Sequence, residues 1–239
     1  MLKRKRGFYE KYIKRILDII CSLLAIVFFG WLYLIIAILV RIKLGKPVIF
    51  KQPRPGLIDP ETNTERIFDL YKFRTMTDER DSSGKLKSDE ERLTPFGKKL
   101  RATSLDELPE AFNILQGSMS LIGPRPFLVR DMVFMTDEQR MRHTAKPGLS
   151  GLAQVKGRNA ISWEDKMDWD LKYIRHISFL EDLKIILLTI RKVVFRSEKD
   201  EEIDVADDFG DALLKEGKVT REEYDALQAY ARHLLEERR

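Results

Sequence analysis

An uncharged apolar run from Ile19 to Val40, basic on both sides, limits what this chain can fold into more than any other feature. Residues 1–15 carry Lys3, Arg4, Lys5, Arg6, Lys11, Lys14 and Arg15 against one acid, Glu10. The run is followed by Arg41, Lys43, Lys46, Lys51 and Arg54 with no acid between them. At about 1.5 Å per residue its 22 residues make roughly 33 Å of helix, enough to cross a hydrocarbon core of about 30 Å. Lysine and arginine strongly prefer the cytoplasmic side, so a simple span would carry one basic flank to the wrong face. A segment that enters the bilayer and returns leaves both flanks on one side. The expectation is a re-entrant membrane helix that holds a soluble body at the membrane surface.

At 239 residues the chain suits one compact domain with attachments, or two small ones. The run is too long, and its leader too extended, for a typical cleaved signal peptide. The single cysteine, Cys21, lies inside the run, which excludes an intramolecular disulfide and a CxxC or zinc site. His143, His176 and His233 are scattered, so a histidine-based metal cluster is not expected. The net charge of +5 is unevenly spread: residues 197–239 carry 14 acids and 7 bases, a net of −7, leaving +12 on residues 1–196. A basic body reads as attraction to anionic lipid, nucleic acid or phosphorylated substrates. The acidic tail reads as a separate unit.

Beyond the run, residues 47–50 form a short β-type stretch ending at the breaker cluster Pro53-Arg54-Pro55-Gly56. Residues 67–74 alternate apolar and polar and are expected to pair with 47–50 as a hairpin. Residues 77–93 are charge-rich and exposed, 95–101 a short helix or turn, and 111–115 helix ending at Gly117. Gly123-Pro124-Arg125-Pro126 forces an extended stretch. Residues 136–144 read as a polar helix, and 154–159 as a basic loop after the breakers at 146–151. Two helices follow, at 162–176 and from Ser178, the second with Phe179, Leu183, Ile186, Leu187, Ile190 and Val194 on one face. That face suits either a membrane surface or a core. The tail holds two helical patterns around residues 216–219, with Thr220 and Glu223 at capping-box spacing and a stripe of Tyr224, Leu227, Ala231 and Leu234 suited to a helical hairpin or a partner helix.

Asp106-Glu107 is the sharpest chemical candidate. Its bland reading is a helix start, with Ser104 as N-cap and Glu107 completing a capping box. Pro109 sits too deep for that helix, and a start nearer Glu107 would place both carboxylates at the helix mouth. Carboxylates kept ionised there can act as nucleophile or Mg²⁺ ligand. Lys72, Arg74, Arg101, Arg125 and Arg158 lie near the breaker clusters, each alone a solvated charge. Together they suit a diphosphate, because arginine forks match phosphate oxygens. No Walker A or GxGxxG sequence is present.

In order, the chain carries the apolar run, Val48-Ile49-Phe50-Lys51-Gln52, Arg54-Pro55-Gly56, and Tyr71-Lys72-Phe73-Arg74-Thr75-Met76. Ser104-Leu105-Asp106-Glu107-Leu108-Pro109 and Gly123-Pro124-Arg125-Pro126 follow, then Gly148-x-x-Gly151-x-Ala153-Gln154-x-x-Gly157-Arg158. This series resembles the bacterial sugar transferases, the monotopic phosphoglycosyl transferases, over roughly residues 10–196. Asn159-Ala160-Ile161-Ser162-Trp163 is similar to the small PglC-type members. The resemblance implies transfer of a sugar-1-phosphate from a UDP-sugar to polyprenyl phosphate at the cytoplasmic face of the inner membrane, releasing UMP. It implies a ping-pong course in which Asp106 attacks the sugar-bearing phosphate, with Glu107 binding Mg²⁺ or handling a proton. Asp106 and Glu107 are then the expected metal ligands, Arg101 and Arg125 the phosphate contacts, and Lys72, Gln154 and Arg158 further site residues. One departure stands out: where such members often carry Ser-Pro at mid-segment to break the helix, this chain has Gly30-Trp31.

The fold expected is α/β in a loose sense, mostly helical with a small β-hairpin or sheet, on a monotopic membrane protein. Its parts are a basic N-terminus and re-entrant helix (1–46), a catalytic domain (47–196) and an acidic helical extension (197–239) for oligomerisation or a partner. The competing class is a membrane-tethered basic protein that binds nucleic acid or anionic lipid. It leaves Asp106-Glu107 unexplained and lacks the aromatic-basic platform of single-strand binders, so no nucleic-acid partner is expected.

Overall fold

A computed structural model describes residues 2–157, 161–195 and 208–238. They form two compact units, a larger one of Met1–Asp18, Pro53–Asp69 and Gly117–Arg239 and a smaller one of Ile19–Gln52 and Leu70–Gln116. The fold is mostly helical with two small sheets.

Helix α1, Lys14–Lys43, contains the whole apolar run and continues without interruption through Gly30 and Trp31. Strands β1 (Ile49–Ile58) and β2 (Glu65–Phe73) pair as a two-stranded sheet. The cluster Pro53-Arg54-Pro55-Gly56, expected to end the first strand, lies inside β1 instead. A two-stranded ribbon has an outer edge on each strand, where the missing proline N–H leaves no ladder bond unmade.

In the smaller unit, Leu32, Tyr33, Ile36, Ala37 and Val40 form one face of α1 and pack with Phe73, Phe96, Leu100, Leu105 and Leu108. Other faces are open, with Val27 76% and Trp31 63% exposed. So much contiguous apolar surface on a helix of this length suits lipid. Helix α2 (Pro95–Ala102) starts at Thr94, whose hydroxyl accepts from the Gly97 N–H, and α3 spans Glu110–Gln116.

In the larger unit, β3 (Ser120–Ile122) and β4 (Gly148–Ser150) run parallel, with Ser120 opposite Gly148 and Ile122 opposite Ser150. The glycines of the two motifs are there because backbones touch. A Cβ on Gly123 would lie 2.2 Å from the Lys146 carbonyl oxygen, and one on Gly151 2.2 Å from that of Gly123. Helix α4 (Leu152–Lys156) replaces the basic loop expected from Gln154, so Gln154 is helical. Helices α5 (Trp163–Arg175) and α6 (Phe179–Val194) close the core, in which Ile122, Leu152, Leu171, Tyr173 and Ile185 meet. On α6 the apolar stripe faces outward: Phe179, Leu187 and Ile190 are exposed while Ile185 is fully buried.

The tail helices α7 (Phe209–Lys215) and α8 (Arg221–Glu237) belong to this larger unit. Phe209 packs beside Trp163, Tyr224 beside Phe134, and Ala231 against Val129 and Met132. Arg238 pairs with Asp69 at 2.8 Å and Lys218 with Glu164 at 2.7 Å. The stripe of Tyr224, Leu227, Ala231 and Leu234 is therefore used within the chain. The expected Thr220–Glu223 capping box is present.

Candidate active site

The chain reaches Asp106 through an unusual turn. After α2 ends at Thr103, Ser104 adopts a left-handed conformation with φ of +56°. A non-glycine residue there is uncommon and marks a backbone held by its surroundings. It directs the chain into a 3₁₀ turn, Leu105–Glu107, closed by the Glu107 N–H on the Ser104 carbonyl at 3.2 Å. Ser104 makes no side-chain cap, so the capping-box reading of this segment does not hold. The two carboxylates stand one turn ahead of α3, with Asp106 only 6% exposed.

Lys72, on β2, reaches this turn. Its ammonium lies 2.8 Å from Glu107 Oε1 and 3.5 Å from Glu110 Oε1. Glu110 is buried at the first turn of α3 and was missed in the sequence reading. Its spacing, three residues after Glu107 and four after Asp106, is the helical interval that could have revealed it. Buried Asn113, one turn further, accepts the Tyr71 N–H at 2.9 Å and so ties α3 to the strand that carries Lys72.

Arg101 arrives from α2, its Nε donating to Thr75 Oγ1 at 3.1 Å. One turn earlier, a Cβ on Gly97 would lie 1.9 Å from the Thr75 carbonyl oxygen, so α2 rests directly on that backbone. Arg74 is structural: its guanidinium donates to the carbonyls of Met76 (2.9 Å) and Lys46 (2.7 Å) and pairs with Asp78 at 2.6 Å. The smaller unit thus brings together Lys72, Glu107 and Glu110, and carries Arg101 and Asp106 on adjoining segments.

Arg125 and Gln154 belong to the larger unit, and Arg158 lies outside the described residues. The stretch around Arg125 is clamped through its carbonyls: Arg142 donates to that of Arg125 at 2.6 Å and Arg54 to that of Pro126 at 2.9 Å. Arg142 is buried, bonds Asp170 through Nε at 3.0 Å, and stacks on Phe127 with 3.8 Å to the ring centroid. Gln154 Nε2 donates to the Leu149 carbonyl at 3.2 Å.

Among the described residues no three His, Cys, Asp or Glu side chains cluster as a metal site. Adjacent Asp106 and Glu107 supply hard oxygen donors, and Mg²⁺ commonly takes one or two carboxylates with substrate phosphates and water completing its shell. The donor chemistry therefore fits that ion.

Comparison with known proteins follows the same lines. A family model described as bacterial sugar transferase matches residues 9–196. The chain is 48% identical over 182 residues to the uncharacterized sugar transferase EpsL of Bacillus subtilis, covering 76% of this chain and 87% of that protein. It is 39% identical over 189 residues to a UDP-glucose:undecaprenyl-phosphate glucose-1-phosphate transferase of Klebsiella pneumoniae, covering 75% of this chain and 39% of the relative. It is 37% identical over 192 residues to a UDP-N-acetylgalactosamine-undecaprenyl-phosphate N-acetylgalactosaminephosphotransferase of Aeromonas hydrophila, covering 77% and 44%. The chain spans less than half the length of these last two relatives.

Proposed function

The chain belongs to the bacterial sugar transferase family, and from that premise we propose that it moves a sugar-1-phosphate from a UDP-sugar to a polyprenyl phosphate. The observation that carries the reading is the turn at 104–107, where a left-handed Ser104 holds a buried Asp106 beside the Lys72-linked Glu107. A carboxylate oxygen of Asp106 attacks the sugar-bearing phosphorus. The bond to the bridging oxygen breaks, and UMP leaves with that electron pair. An oxygen of polyprenyl phosphate then attacks the same phosphorus and releases the Asp106 carboxylate, leaving a polyprenyl-diphosphate-linked sugar. Splitting the transfer means nucleotide and lipid need never occupy the site together.

Attack by one anion on another needs charge neutralisation in place beforehand. Lys72 holds Glu107 and Glu110 by a single ammonium, on either side of the sequence step from the turn of Asp106 into α3. Arg101 and Arg125 are the proposed phosphate contacts, with Gln154 and Arg158 in supporting positions. Mg²⁺ held by Asp106 and Glu107 would neutralise diphosphate charge and favour departure of UMP.

Membrane placement follows from the same chain. We read α1 as re-entrant, with the body on the cytoplasmic face of the inner membrane. Both flanks of the apolar run are basic; just before it Lys14 and Asp18 are buried in the larger unit, and at its end Ile36 and Val40 are buried in the smaller.

The test is UMP release from a panel of UDP-sugars with polyprenyl phosphate and Mg²⁺. Release from one or a few donors by wild type, abolished in Asp106→Asn, supports the reading. Equal release by the variant removes Asp106 as nucleophile. If wild type releases none from any donor, the tethered-binding alternative takes its place.

A further inference from the structure

The C-terminal hairpin of α7 and α8 lies beyond the residues that the family model matches. It is nevertheless joined to the stretch that carries Arg125. Arg142 donates to the Arg125 carbonyl and lies over the Phe127 ring, 3.8 Å from its centroid. Phe127 meets Trp163 edge to face, with 5.0 Å between ring centroids and 89° between planes. Trp163 in turn packs against Phe209, the first residue of α7, at 5.6 Å. Close-packed interiors transmit strain rather than absorb it, so a displacement at Phe209 is felt at Phe127.

The hairpin grips the same stretch a second time. Asp131 is buried in the helical turn Val129–Met132, shortly after Phe127. Burial raises its carboxyl, opposed by the Arg130 charge and by hydrogen bonds from the backbone N–H groups of Gly210 and Phe209. A buried carboxylate is costly without such donors, and here they come from the tail. Arg130 pairs with Asp208, just before α7. Gly210 rests on Phe134 with no room for a side chain, since a Cβ there would lie 2.5 Å from the ring. Phe209 itself is buried in the cluster that contains Phe127 and Phe134.

We propose that the C-terminal hairpin is a positioning element of the transferase site, with Phe209 holding Arg125 in place through Trp163, Phe127 and Arg142. The role rests on the phosphate contact proposed above for Arg125. Phe209 acts only through these residues and does not meet the substrate.

The experiment uses the full chain and compares wild type with Phe209→Ala and with Phe209→Leu, which keeps apolar bulk. Ile185→Val, a core truncation outside this series, controls for a general loss of stability. Amide exchange across residues 127–134 reads the coupling itself. UMP release, with whichever UDP-sugar of the panel reacts fastest, reads its use. Phe209→Ala should speed the exchange about tenfold and raise KM for the UDP-sugar about tenfold, with kcat changed less than about twofold. Phe209→Leu should show about threefold in the first two, and Ile185→Val should move neither. In an Arg125→Lys background, Phe209→Ala should add less than about twofold to KM, because the group it positions has already been replaced. Should Phe209→Ala not fold, Phe209→Leu carries the same comparison.

Three results overturn the positioning role while the transfer reaction stands: unchanged exchange in both Phe209 variants, effects of Phe209→Ala and Arg125→Lys that multiply in full, or a KM rise in Ile185→Val as large as in Phe209→Ala. A wild type that releases no UMP from any donor overturns the transfer reading, and this role with it.

Discussion

The phenol of Tyr33, inside the apolar run, donates a hydrogen bond to the carbonyl oxygen of Leu108, the residue that follows Asp106-Glu107. Its ring stands 5.8 Å from that of Phe73 and 5.7 Å from that of Phe112, on the strand and helix that flank the turn. The helix that carries the apolar run therefore also holds the backbone of the proposed catalytic turn.

Replacing Tyr33 by Phe keeps the ring contacts and removes one hydrogen bond, worth about 1 kcal/mol. The turn rate should fall about fivefold with little change in the concentration of UDP-sugar needed for half-maximal rate, and membrane association should persist. UMP release kinetics and membrane flotation check both. An unchanged turn rate would show that the bond does not position the turn.

Lys72→Met leaves Glu107 and Glu110 without their shared ammonium. Removing one partner of such a half-buried group costs about 3 kcal/mol, read as a lower urea midpoint. UMP release should fall at least about a hundredfold. Lys72→Arg should keep more of both, and Glu110→Gln added to Lys72→Met should recover part of the stability but not the activity. Full recovery of activity in that double variant would place Lys72 in a purely structural role.

Gly97→Ala should inactivate without touching any charged group. The added methyl would collide with the Thr75 carbonyl, moving α2 and with it Arg101. A displacement near 1 Å can cost about a hundredfold in rate. Gly30→Ala, where a new Cβ meets nothing within 4 Å, should leave UMP release unchanged.

These residues show why the sequence was legible in some places and closed in others. The apolar run, the helices from Trp163 and Phe179 and the Thr220 capping box follow from periodicity and local hydrogen bonding, which neighbouring residues specify. Asp106 and Lys72 were singled out because motif order carried them. Glu110 and Asn113 were not, since their roles depend on contact with β2 across the fold. Arg74 looked like a phosphate ligand by charge alone, and only packing reveals that carbonyls consume it. The strand through Pro53 and Pro55 was hidden because breaker statistics do not distinguish an edge strand from a turn.

Acid should weaken the larger unit through Glu65. Burial would raise its carboxyl, but hydrogen bonds from His143 (3.0 Å) and Arg140 (2.9 Å) outweigh it and draw the value down to about 2. Burial also lowers His143, with its hydrogen bond to Glu65 opposing that shift. A carboxyl depressed on folding stabilises fully above its unfolded value of 4.5 and loses that contribution as the pH falls through about 2. Urea midpoints measured from pH 6 to pH 3 should therefore decline more steeply for wild type than for Glu65→Gln below pH 4.5. Parallel curves would exclude Glu65 as a source of acid sensitivity.

The central claim is that Asp106 carries the phosphosugar between donor and lipid. It is tested most directly by incubating the protein with its UDP-sugar in the absence of polyprenyl phosphate and measuring intact mass, followed by peptide mapping. The account expects a gain equal to one sugar-phosphate group, located on Asp106, absent from Asp106→Asn and discharged when polyprenyl phosphate is added. Transfer to the lipid with no adduct at any time point, or an adduct mapped to another residue, would contradict it.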